Sequence, residues 1–139
     1  MVINPQRAIN EGWVKLCEYS KVQQSGIDIT LKNIKSLDGT LSWTDEKFFL
    51  SKGHYDFECN EYVKVPQNCI ALLIIRSSFN RKGAFITTGL YDNGFENFIG
   101  GVIHLALPLE IKKNERIAQI VFMQTEHKAQ YCGQYQKKR

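Results

Sequence analysis

Apolar and polar positions alternate along this chain in short runs from about residue 27 onward. In "GIDITLKNI", Ile27, Ile29 and Leu31 fall on one side, and Asp28, Thr30 and Lys32 fall on the other. That period of two marks a strand with one face on a core. Residues 13–19, 48–50, 55–59, 62–65, 70–75, 84–90, 101–107 and 116–123 read as further short strands. Lys52-Gly53, Asn60-Glu61 and Pro66-Gln67-Asn68 separate them, and Leu37-Asp38-Gly39-Thr40 carries the Asp-Gly signature of a hairpin turn. One stretch differs. Residues 5–11 predict a short helix, with Asn4 as its N-cap, Pro5 at its first position and Gly12 as its stop. Turn signals spaced about every 8–12 residues predict an all-β sandwich, jelly roll or barrel, with at most one short N-terminal helix.

Composition narrows the class. A length of 139 residues fits one domain spanning 1–139, with about 128–139 as a flexible closing tail. Hydrophobic residues make up 43% and charged residues 23%, which is an ordinary globular balance. The net charge of +4 suits anionic partners. It is small for a duplex DNA binder, so no nucleic-acid partner is expected. No apolar run approaches the ~18 residues of a membrane span, and Met1 to Gln6 leads into mixed polar sequence with no signal peptide. Cys17, Cys59, Cys69 and Cys132 form no C-x-x-C pair. The expectation is reduced thiols in a cytoplasmic protein.

The candidate chemistry lies mainly in "IIRSSFNRKGAFITTGLYDNGF". Arg76, Ser77, Ser78 and Arg81 follow the apolar run Leu72–Ile75 and supply guanidinium forks and hydroxyls, the donors a polyphosphate needs. On spacing alone, a solvated loop accounts for them better. Asp92 precedes Asn93-Gly94, good type I′ hairpin chemistry, and a carboxylate there could also serve as general base. Asp28 reads as strand-surface polarity. Gln119, among aliphatics on one strand face, must find a partner; a sheet contact or a phosphate would serve. His54, His104 and His127 look isolated. Tyr131 and Tyr135 either stack on a base or close the core. Lys137-Lys138-Arg139 reads as a solvated tail that could also reach a phosphate.

Five stretches, in order, resemble the motifs of the dUTPase / dCTP deaminase superfamily, closest to its archaeal-type dUTPase-like branch. They are "QQSGIDIT" (23–30), "IIRSSFNRKGA" (74–84), "TTGLYDNGFEN" (87–97), "NERIAQIVF" (114–122) and "YCGQYQ" (131–136). The resemblance implies a distorted β jelly roll of the dUTPase type, a homotrimer with sites between subunits, and a dUTP diphosphatase. Such an enzyme hydrolyses dUTP to dUMP and pyrophosphate with Mg2+ on the triphosphate. It makes Asp92 the base that activates water for attack at the α-phosphorus. It makes Arg76, Ser77, Ser78, Arg81 and Gln119 the phosphate ligands, and Asp28 an indirect support for the metal or water network. Phe95 would face the deoxyribose. Main-chain groups along the arm carrying Thr88 and Tyr91 would read uracil, with Tyr131 and Tyr135 completing the nucleoside site.

The same resemblance includes deaminases, whose distinguishing Glu lies roughly ten residues beyond the hairpin acid. "GGVIHLAL" (100–107) has no carboxylate, which favours the phosphohydrolase. Ile75, Asn97 and Gln134 replace the family's Pro, Gly and cation, and "QKKR" follows Tyr135 in place of a Gly-rich arm. A catalytically weak or inactive deoxynucleotide-binding regulator on the same fold is therefore the alternative, ahead of dCTP deamination.

Overall fold

The computed structural model describes residues 1–43 and 45–137. Helix α1 (Pro5–Asn10) forms where predicted: Asn4 Oδ1 accepts from the Gln6 N–H at 2.9 Å, and Pro5 opens the first turn. The strands are β1 (Val14–Lys15), β2 (Lys21–Val22), β3 (Ile27–Ser36), β4 (Ser42–Trp43), β5 (Lys47–Leu50), β6 (Gly53–Lys64) and β7 (Cys69–Ile75), then β8 (Ala84–Thr87), β9 (Glu96–Leu105), β10 (Leu109–Lys112) and β11 (Arg116–Gln124). A second short helix, α2 (Ser77–Asn80), joins the expected one.

The main sheet is antiparallel and runs β7-β11-β3-β6-β9-β8, with β1 added to β6 and with β2 and β4 added to β3. β10 and β5 make a separate ribbon. The two ends of the path meet again beyond β8. Ala71 and Tyr91 exchange both backbone bonds, at 2.9 and 3.2 Å, and nearly close the sheet into a barrel. Its interior holds Ile27, Ile29, Leu31, Phe57, Ile103 and Ile120, all essentially without solvent contact. The all-β expectation stands, as a barrel. No helix among the described residues is long and apolar enough to cross a membrane. All four thiols are free, and burial pushes that of Cys59 well up.

Several details depart from the sequence pattern. Asn60-Glu61 does not end a strand. The β6 register shifts between Glu58 and Tyr62, and the bulge turns Glu61 inward. There its carboxylate accepts from the Thr30 N–H (2.9 Å), Thr30 Oγ1 (2.9 Å) and Ser20 Oγ (2.6 Å). Asp28 and Thr30 are consequently buried rather than outward, because polar partners cover that face, and the alternation resumes at exposed Lys32. Only Val14 and Lys15 of residues 13–19 pair as strand. β9 begins at Glu96 rather than at 101, and the ladder between β8 and β9 stops at Thr87–Val102. His54 and His104 are not isolated: they pair across β6 and β9 with Nδ1 atoms 2.7 Å apart.

Candidate functional site

Two groups of side chains emerge from different parts of the barrel. The first gathers where β7, β11 and β3 lie side by side. β7 ends at Ile75, and Arg76 then begins α2, with Ser77 and Ser78 exposed in its turn and Arg81 exposed just past it. The Arg76 guanidinium is fixed by donation to the Arg116 carbonyl at 3.2 Å and lies 3.8 Å from Asp28 Oδ2. β11 carries a register shift between Arg116 and Ala118. Simple alternation would put Arg116 on the inner face with Ala118 and Ile120, and the bulge turns it out toward Asp28. Arg116 Nη1 reaches Asp28 Oδ2 at 3.2 Å, Gln23 Nε2 reaches the same oxygen at 2.7 Å, and Gln119 Nε2 donates to Oδ1 at 3.3 Å. Gly26 permits this: a Cβ there would lie 2.6 Å from Gln119 Cγ.

Asp28 is 1% exposed, whereas the two guanidiniums keep about a third of their side-chain surface, 31% and 32%. One buried carboxylate thus holds two cations whose outer faces remain available. The local balance is positive and suits an anion. Arg116 and Gln23 belong to stretches the sequence singles out, yet local pattern gives neither a role. Only the bulge and the loop before β3 aim them at Asp28.

The second group lines a cleft of about 720 Å³ along the hairpin that leads from β8 into β9. Past Thr87 the chain leaves its partner strand, so Thr88, Gly89 and Leu90 run along the cleft wall outside any ladder until Tyr91 meets Ala71. Burial pushes the Tyr91 phenol well above its ordinary value, and its O–H donates to the Gly100 carbonyl at 2.6 Å. The Asp92 carbonyl accepts from the Phe95 N–H at 3.0 Å, and only Gly94 has positive φ (79°). Positive φ at the third turn position alone is the type II signature, not the type I′ turn that Asp-Asn-Gly suggested. Asn93 does not take positive φ, and its side chain donates inward to the Gln67 carbonyl (2.9 Å) and Thr125 Oγ1 (2.8 Å). Asp92 is left half-buried in the cleft, its carboxylate without a hydrogen-bond partner among the described residues.

Phe95 packs on Tyr91 and on Tyr131, with ring centroids 5.3 Å apart in each case. Tyr131 and Tyr135 reach the cleft from the C-terminal segment, where Asn97 Nδ2 donates to the Tyr135 carbonyl at 3.0 Å. Lys137 Nζ lies over the rings of Tyr62 and Phe98, while Lys138 and Arg139 fall outside the described residues. No Arg or Lys among the described residues lines the cleft. Its other carboxylates, Asp56 and Glu58, stand on β6 across from Val102 and Gly100. The structure therefore brings Thr88, Tyr91, Asp92, Phe95, Tyr131 and Tyr135 together, and separately Asp28, Arg76 and Gln119. It does not join the two groups within one chain.

The sequence profile of the dCTP deaminase-like family matches residues 6–125. The chain belongs to the dUTPase / dCTP deaminase superfamily. It is 30% identical over 141 residues to a probable deoxyuridine 5'-triphosphate nucleotidohydrolase of Methanosarcina acetivorans, covering 84% of this chain and 81% of that one. A dCTP deaminase of Acidianus ambivalens is 34% identical over 95 residues, covering 66% and 55%. Among solved structures, the dCTP deaminase of Agrobacterium tumefaciens superposes with TM-score 0.73 at 15% identity over 87% of this chain, which spans 47% of that one. Native EIAV dUTPase superposes with TM-score 0.62 at 14% identity, covering 89% and 98%. A mutant dUTPase of S. aureus phage phi11, described with a structural Mg(II) ion, superposes with TM-score 0.59 at 16% identity, covering 87% and 95%. These structural likenesses establish the superfamily fold.

Among the described residues no three His, Cys, Asp or Glu side chains come together to hold a metal. Both Asp28 oxygens already face donors.

Proposed function

We propose that the protein hydrolyses dUTP to dUMP and pyrophosphate. The observation that carries this reading is the Asp92 carboxylate, without a hydrogen-bond partner among the described residues, in an aromatic cleft that no described Arg or Lys lines. The deoxynucleoside occupies the cleft, with Phe95 against the sugar and the Thr88–Leu90 main chain along the uracil edge. Asp92 takes a proton from water as the water oxygen bonds to the α-phosphorus. The bond from that phosphorus to the bridging oxygen breaks, and pyrophosphate leaves. Arg76, Ser77, Ser78, Arg81 and Gln119 hold the phosphates, and Asp28 keeps Arg76 and Gln119 in position. Mg2+ enters on the triphosphate, as expected of an ion that binds through substrate phosphates rather than in an all-protein cage.

Because the cleft and the cations lie apart in one chain, this reading completes each site between copies; that the copies number three is what the resemblance to the superfamily implies. The outward face of β7 and β11 suits such packing. Leu72 and Ile74 are 36% and 53% exposed there, with Val121 and Met123 alongside them next to Gln119. Deamination of dCTP is the second reading, favoured by Asp56. Val102 itself carries no acid, but Asp56 stands across from it in the same cleft.

The test is a panel of dUTP, dCTP, dTTP and UTP with Mg2+, assayed together for pyrophosphate and ammonia. Pyrophosphate from dUTP alone is expected. Ammonia from dCTP would move the assignment to the second reading. Binding of dUTP without pyrophosphate release would leave a regulator and end the proposal.

A further inference from the structure

Outside both groups, two histidines face each other on the outer surface of the β6–β9 ladder. His54 and His104 stand directly opposite in register, so their side chains leave the sheet on the same side. Their strand neighbours Tyr55 and Ile103 turn into the core instead. The two Nδ1 atoms lie 2.7 Å apart, with the ring centroids at 4.9 Å. His54 is exposed and His104 half-buried.

β8 completes the arrangement. Phe85 pairs with His104 across the next ladder, and its ring stacks on the imidazole at 4.7 Å and 19°. Thr87, two residues on, puts Oγ1 2.7 Å from His104 Nε2. When Thr87 Oγ1 accepts the Nε2 proton, His104 Nδ1 carries a lone pair, and the Nδ1 proton of His54 fills the space between the rings. Orientation of a ring by a bond at its far nitrogen is what a metal-ligating histidine requires.

We propose that His54 and His104 form a site for a divalent transition-metal ion of tetragonal preference, Ni2+ or Cu2+, bound through both Nδ1 atoms in place of the proton between them. The His54 proton moves to Nε2 by way of solvent, so both rings stay neutral and both lone pairs reach the ion. Imidazole nitrogen suits these metals. Spacing selects the geometry. With metal–nitrogen bonds of about 2.0–2.1 Å, a right angle at the ion separates the nitrogens by about 2.9 Å and a tetrahedral angle by about 3.3 Å. From the observed 2.7 Å the rings must part by only about 0.2 Å in the first case, against about 0.6 Å in the second. Phe85 holds the plane of His104, so exposed His54 is the ring that gives. Water fills the remaining positions, because among the described residues no third His, Cys, Asp or Glu joins the pair. The site is independent of the proposed nucleotide chemistry: none of its four residues lines the cleft.

The test titrates Ni2+ into tag-free, full-length protein at about pH 7.5, above the ordinary histidine pKa, and follows binding by calorimetry. One equivalent per chain is expected. His54→Asn and His104→Asn should each abolish that binding. Cys132→Ser, His127→Asn and Asp92→Asn should leave it as in wild type, since each removes a different exposed or cleft ligand. Absence of saturable binding to the wild type would overturn the proposal. Binding that survives both histidine variants, or that any of the three controls removes, would overturn it equally.

Thr87→Val is the second variant, and it leaves both rings in place. Loss of the bond to Nε2 should weaken Ni2+ by roughly 10–100-fold. Unchanged affinity there would overturn ligation through Nδ1, because only that mode depends on the Thr87 bond.

Discussion

Gln119 stands directly across the β11–β3 ladder from Asp28, and its side-chain amide meets the buried carboxylate at 3.3 Å. The contact uses one of two N–H groups on Nε2, so the same amide can brace Asp28 and still face a ligand. With Gln23, Arg116 and Arg76 it turns a buried negative charge into the anchor of a positive surface.

Asp28→Asn removes the charge that holds the two guanidiniums together. Loss of charge-assisted hydrogen bonds predicts a cost of about 1–3 kcal/mol. It should be read as a lower urea midpoint at unchanged m-value. Inorganic pyrophosphate should also bind more weakly, since Arg76 loses its orientation.

Asp92→Asn should do the reverse. The carboxylate has no partner to lose among the described residues, so stability should stay within about 0.5 kcal/mol of wild type. Pyrophosphate release from dUTP should fall by about 10²–10⁴-fold, with dUTP affinity by calorimetry largely kept. Comparable turnover in the variant would remove Asp92 from its role.

Gly26→Ala places a methyl against Gln119 Cγ at 2.6 Å and the Ile120 carbonyl at 2.7 Å. Backbone cannot yield as a side chain can. The expected cost is about 1–3 kcal/mol, measured by thermal unfolding, together with the weakened pyrophosphate binding seen for Asp28→Asn.

His104 carries a pH signature. Burial, and then the neighbouring His54, depress its pKa below the ordinary 6.5. Its remaining contacts are Thr87 Oγ1 at 2.7 Å and the stacked Phe85 ring. A histidine with a depressed folded-state pKa contributes stability fully above its unfolded value. That contribution is lost as pH falls from near 6.5 through the folded value. Thermal midpoints should therefore decline on acidification below about pH 6.5, and His104→Asn should flatten that slope. An unchanged slope would deny the pair any part in it.

The strands were largely legible because alternation reports burial directly, as at Ile27, Ile29 and Leu31. Alternation failed where polar groups satisfy one another inside. Asp28 and Thr30 look solvent-facing only until Arg116, Gln23 and Glu61 are seen to cover them. The Asn60-Glu61 break misled for the same reason: a buried acid with hydroxyl partners can ride on a bulge. For the site, residue types marked Arg76, Asp92 and Phe95, but Arg116 depended on a register shift that no local pattern records. The pairing of His54 with His104 needed the register of β6 against β9, which is set by contacts distant in sequence.

The Ala71–Tyr91 bridge has a further consequence, for the protein's behaviour in a crowded solution. β7 and β8 are the ends of the sheet path, and their open backbone edges would be templates for aggregation. Two backbone bonds withdraw part of that edge, and they are made by a residue whose ring also walls the cleft. A ligand that steadies Tyr91 would therefore also protect the seam through which the barrel could recruit other chains.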